Sequence, residues 1–200
     1  GGPGGSPSFY RGTHQLWLPY GKLVYVHNRG RGKSEILDSI PDAYSPEKDV
    51  LDIDAVRKDL GVNKVIVYGH SYGSMVALLY AATHPENTMA LMTTGALSGE
   101  KDFQEHNIDG VKYFMRRHYP QAWDTISTLH ANGFLTSDAV YENVFPDLLE
   151  MYYYHPENNE KIVPFWSMFS DSTSVGFNYD VYTTIVGDDP EWVVSGTLKG

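Results

Sequence analysis

The chain has 200 residues, 42% of them hydrophobic, and carries 25 Asp and Glu against 15 Lys and Arg, a formal net charge of −10. This is enough apolar material for one core, at most a domain with an insertion. The acidic balance argues against a nucleic-acid backbone or an anionic lipid surface as partner, because both demand clustered Lys and Arg. Cysteine is absent, which removes disulfides, thiolate metal sites and a cysteine nucleophile together and fits a reducing, cytoplasmic compartment.

The chain opens GGPGGSPSFY, with no Met, basic segment or apolar segment, and closes VVSGTLKG in mid-pattern. It therefore reads as a piece of a longer open reading frame. The run KLVYVHN, with Val24, Tyr25 and Val26, reads as a buried strand followed by the turn-rich loop RGRGKSE. In SPEKDVLDIDAVRKDLG, Ser45 can cap, Pro46 suits the first helical position, and Val50, Ile53, Val56 and Leu60 recur at helical spacing before Gly61. Then come a strand, KVIVY, a helix from Tyr72 to about Thr83, and a second apolar run, MALMTT. The order β-α-β-α-β predicts an α/β fold, a parallel sheet with helices on both faces. No apolar run approaches the roughly 18 residues of a membrane span. From about residue 100 to 190 the texture is helical and aromatic, in DGVKYFMRRHYPQAWDTISTLHANG, SDAVYENVFPDLLEMYYYHP and FNYDVYTTIVGDDP, and reads as a helical insertion.

The chemistry concentrates in KVIVYGHSYGSMVALLYAATHP. Ser71 stands between Gly69 and Gly73 where an apolar β-branched run meets an Ala- and Leu-rich helical run, the context of a G-x-S-x-G nucleophile elbow. Without Cβ atoms, the two glycines let the chain turn sharply and lift the serine above the sheet. The N–H of Tyr72, at the helix start, then faces a developing oxyanion and gains from the helix dipole. GGPGG offers a second set of closely approachable N–H groups, with Gly2 as the second oxyanion donor. Set against these readings, G-x-S-x-G also occurs by chance, and a glycine cluster alone is a flexible tail.

GGPGG, then VYVHNRGRGKS, then DIDAVRKDLGVNKVIVYGHSYGSMVALLYAATHP, in that order, resembles the proline iminopeptidase family of α/β-hydrolases, which includes tricorn-interacting aminopeptidases and L-amino-acid amidases. The resemblance covers nearly the whole chain. Family members usually have a His before the first glycine, an Asp where this chain has His27 or Asn28, and Trp where Tyr72 stands. The resemblance implies an α/β-hydrolase core over residues 1–97, a helical cap over 98–195 and a return to the core at 196–200, with N- and C-terminal parts of the core missing. It implies a serine aminopeptidase that needs no cofactor and releases an N-terminal residue, proline or another apolar one, from short peptides or amino-acid amides through an acyl-enzyme. It also implies that Glu191, in DPEW, holds the substrate's free amino terminus, where the bland alternative is a solvated loop charge. An esterase or lactonase shares every core residue and differs in the cap, and a non-catalytic binding protein of the same fold is the reading from another class.

A nucleophilic serine needs a base and an acid. In this fold they follow later strands in the order Ser, Asp or Glu, His. Asp147 with His155 and Asp124 with His130 have that order but lie in helical texture, so both partners are expected beyond Gly200 and the 200-residue chain is expected to be inactive. His70 adjoins Ser71, yet neighbours on an elbow point apart, so it reads as a packed, hydrogen-bonded side chain. No H-x3-H or H-E-x-x-H spacing implies a metal, and RGRGKSE lacks the first glycine of a phosphate loop.

Overall fold

The structure, a computed structural model, describes residues 3–37, 40, 42–97, 109–132, 181, 184 and 185. The chain forms two compact units, one of residues 1–103 with 174–200 and one of residues 104–173.

In the first unit, two 3-10 segments, Pro7–Tyr10 and Thr13–Tyr20, precede helix α1, Pro46–Asp59. The start of α1 is written locally: the Ser45 hydroxyl accepts from the Lys48 N–H, Pro46 occupies the first turn, and Glu47 and Asp49 complement the positive end of the helix dipole. Arg57 and Lys58 complement its other end. Strand β1, Val65–His70, runs into helix α2, Tyr72–Thr83, and a short 3-10 turn, Pro85–Asn87, leads to strand β2, Thr88–Thr94. β1 and β2 pair in parallel, with Val67 opposite Leu91 and His70 opposite Thr94. Connecting them through α2 is the β-α-β crossover that a parallel pair requires. α2 is apolar nearly all round, and Met75, Val76, Ala77 and Tyr80 are buried in a cluster with Val50 and Val67, which Val181 and Ile185 join.

One expected strand does not form. Residues 22–28 carry no ladder hydrogen bonds, so among the described residues the sheet has two strands, β1 and β2. A β-rich run becomes a strand only beside a partner with free backbone groups. Among the described residues KLVYVHN has no such partner, and side chains hold it instead. Tyr25 stacks on His14, and the His27 carbonyl accepts a short hydrogen bond from the Ser34 hydroxyl.

In the second unit, the long helical run expected after residue 109 is two helices, α3, Asp109–His118, and α4, Pro120–Ala131. Proline lacks an N–H and suits the first turn of a helix, so Pro120 restarts the chain as α4. The Arg116 guanidinium lies 4.6 Å over the Trp123 ring and ties the two helices together. Most of the other two helical runs of the insertion lies outside the described residues. Among the described residues no helix is long and apolar enough to cross a membrane.

Candidate active site

Ser71 sits at the carboxyl end of β1, where ligands of open α/β sheets bind. Its backbone is left-handed, φ 53° and ψ −126°, a conformation that costs a non-glycine residue on the order of 1–3 kcal/mol and persists only where the surroundings hold it. They hold it from both sides. The Ser71 N–H donates to the Thr94 carbonyl of β2 at 2.9 Å, and the Ser71 carbonyl accepts from the Ser74 N–H at 2.8 Å and from the Ser74 hydroxyl at 2.5 Å. The same Ser74 hydroxyl accepts from the Leu97 N–H at 3.2 Å, so the elbow is tied to the chain that follows β2.

Gly69 is required by close approach. A Cβ there would lie 2.0 Å from the Gly73 carbonyl oxygen and 2.7 Å from the Ser74 Cα. β1 and the first turn of α2 therefore touch backbone to backbone, which sets how sharply the chain turns. Although Ser71 occupies the N-cap position of α2, its hydroxyl makes no capping bond. It is hydrogen-bonded to no described residue and is left available for other chemistry. Tyr72 opens α2 and is buried, its phenol donating to Asp49 Oδ2 at 2.7 Å.

His70 is packed as the sequence suggested. Its Nδ1 is hydrogen-bonded to the Thr94 hydroxyl at 2.9 Å, and the Tyr68 hydroxyl meets the same oxygen at 2.9 Å. The Tyr10 ring lies 5.5 Å from the His70 ring. Behind them, His14 is buried, stacked 4.4 Å from Trp17 and edge-on to Tyr68 at 4.9 Å. Burial holds His70 and His14 below the usual imidazole range and, with Tyr68, pushes the Tyr10 phenol up to about 12. Aromatic and imidazole rings thus pack around His70, the residue before the serine.

The RGRGKSE loop turns through Gly30 at φ 70° and returns two arginines to α1. Arg29 binds Asp52 through its backbone N–H, Nε and one terminal nitrogen. Arg31 grips Asp49 with two nitrogens, at 2.7 and 2.9 Å, and both side chains are buried. Thr94, Ser74, Asp49 and Arg31 went unread in the sequence. The one available signal was an acidic residue, Asp49, beside Val50 on a helix that must bury a face, since a buried carboxylate calls for a cation.

Of the sequence-derived site residues, the structure brings Gly69, Ser71, Tyr72 and Gly73 together. Gly2, Asp147, His155 and Glu191 lie outside the described residues, as does the His130 side chain, and Asp124 is exposed on α4. Among the described residues no group of three or more His, Asp or Glu is placed to hold a metal ion.

A family model described as the alpha/beta hydrolase fold matches residues 1–181. The proline iminopeptidase of Lactobacillus helveticus (strain DPC 4571) is 30% identical over 115 residues, 56% of this chain and 39% of that protein. The proline iminopeptidase of Neisseria gonorrhoeae is 38% identical over 74 residues, 37% of this chain and 24% of that protein. Among solved structures, VinJ matches with a TM-score of 0.70 at 18% identity, over 99% of this chain and 67% of its own. Proline iminopeptidase of Mycobacterium smegmatis matches with a TM-score of 0.64 at 20% identity, over 99% and 66%. At these identities the two structures speak to the fold alone. The match spans about two fifths of the length of the Lactobacillus relative.

Proposed function

This chain belongs to the alpha/beta hydrolase fold family and is related to its proline iminopeptidase-like members, and on that premise we propose that it is the part of a serine hydrolase that carries the nucleophile, Ser71. The observation that supports the reading is the state of that residue: strained, at the carboxyl end of β1, with a hydroxyl not spent on capping α2. In the proposed reaction Ser71 Oγ attacks the carbonyl carbon that follows the N-terminal residue of a short peptide or amino-acid amide. A general base takes the Ser71 proton and passes it to the departing amine, the N–H groups of Gly2 and Tyr72 hold the oxyanion, and water, deprotonated by the same base, releases the acyl-enzyme. No cofactor enters the reaction. Residues 98–195 act as a cap that selects a proline or another apolar N-terminal residue, and Glu191 binds the substrate ammonium. The aromatic ring of Tyr10, packed against His70 next to the serine, suits an apolar acyl group.

The test uses the full-length protein with prolyl and other aminoacyl anilides, their N-acetylated forms and p-nitrophenyl acetate. Ser71→Ala should abolish turnover of every substrate, and N-acetylation should make the anilides poor substrates. Removing one partner of a charge pair of this kind costs about 2–5 kcal/mol. Glu191→Gln should therefore lower kcat/KM for free-amine substrates about thirtyfold or more and leave the acetate ester unchanged. Turnover that survives Ser71→Ala refutes the nucleophile. An equal loss on both substrate classes makes Glu191 a structural residue and the aminopeptidase reading gives way to an esterase.

A further inference from the structure

The first turn of α2 must be placed accurately, because it carries both Ser71 and the Tyr72 N–H, yet it lacks the local anchor most helices have, a side-chain cap. A tertiary anchor stands in its place. The Tyr72 phenol donates to Asp49 Oδ2 at 2.7 Å, Asp49 is fully buried on α1, and Arg31 closes on the same carboxylate with two nitrogens. The Arg31 guanidinium also lies 5.8 Å from the centre of the Tyr72 ring. Loop, α1 and the nucleophile helix thus converge on one carboxylate.

We propose that Arg31, Asp49 and the Tyr72 phenol are a positioning device that fixes the N-terminus of α2, and with it Ser71 and the Tyr72 N–H, for the reaction proposed above. The inference rests on that reading for its catalytic meaning, while its structural content is measurable without it. Stability alone is a poor reason for this network. Apolar residues often stabilise a core as well as a buried ion pair does, and here Arg31 Nε is buried with no hydrogen-bond partner. What a directional network supplies and an apolar contact does not is one defined orientation at the residue it holds. Burial and Asp49 keep the Tyr72 pKa well above the usual phenol range, so the group remains a donor.

The molecule contains its own control. Two turns along α2, buried Tyr80 donates to Asp54 of α1 at 3.4 Å, the same type of tie between the same helices but remote from Ser71. In the full-length protein, Tyr72→Phe keeps the ring and removes the hydroxyl. It should lower kcat about tenfold or more with KM within twofold, in line with the sensitivity of catalysis to small misplacement. It should also speed hydrogen exchange at the amides of Tyr72, Gly73 and Ser74 about tenfold. Arg31→Lys, which retains a cation but not the two-pronged grip, should change both quantities in the same direction. Tyr80→Phe should lower the melting temperature while leaving kcat and those three amides unchanged. Equal kcat losses in Tyr72→Phe and Tyr80→Phe, or a Tyr72→Phe protein with unaltered exchange at residues 72–74, overturn the proposal. Should Ser71→Ala retain turnover, the reading of Ser71 as nucleophile falls by itself and the exchange rates still decide whether the device positions α2.

Discussion

Gly69→Ala adds one methyl group at the tightest point of the elbow. The new Cβ would stand 2.0 Å from the Gly73 carbonyl oxygen and 2.4 Å from its carbon, where ordinary contact begins at 3.4 Å. The shortfall of about 1.4 Å falls on backbone atoms, which cannot rotate aside as a long side chain would. The first turn of α2 must therefore move off β1. Overpacking of this kind costs about 1–3 kcal/mol, which for a chain of this length lowers the melting temperature by about 2–4 °C per kcal/mol. The functional effect should be larger than the thermal one, since a shift of about 1 Å in a reacting group can reduce rate about a hundredfold. Thermal melts by circular dichroism give the first number. In the full-length protein, the rate at which a fluorophosphonate probe labels Ser71 gives the second. A variant that melts within a degree of the parent and labels at the parental rate would show that the elbow tolerates a Cβ, and the close-approach argument would fail.

Two further outcomes concern pH. The Lys58 hydrogen bond, with Arg57 beside it, holds the Asp54 carboxyl down to about 2 against an ordinary 3.8. A depressed carboxyl contributes stability that is complete above its unfolded value and lost as pH falls through its folded one. Asp54→Asn should therefore flatten urea-measured stability between about pH 4 and pH 2, and an unchanged slope would mean that other carboxylates carry it. Burial keeps His14 below its ordinary 6.5, so the unfolded chain takes up a proton more readily and stability falls as pH drops below that value. His14→Phe should gain melting temperature relative to the parent at pH 5 but not at pH 8, and equal differences at the two pH values would contradict the attribution.

The sequence by itself determined whatever is decided within a few residues. Ser45 and Pro46 set the start of α1, the β-branched run Val65–Val67 and the apolar run Met75–Tyr80 made a strand and a helix, and the glycines around Ser71 marked the turn between them. Capping, periodicity and steric permission act over one or two turns of chain, so they can be read in order. Tertiary structure decided the rest. KLVYVHN has the composition of a strand but, among the described residues, not the neighbour. Asp49 reads as one more charge on an acidic helix until Arg31, 18 residues before it, and Tyr72, 23 residues after it, arrive at the same carboxylate. A strand needs a partner's free N–H and C=O groups, and a buried charge needs a counter-ion brought to it through space. Neither requirement leaves a local mark, because what meets it is chosen by how the chain packs.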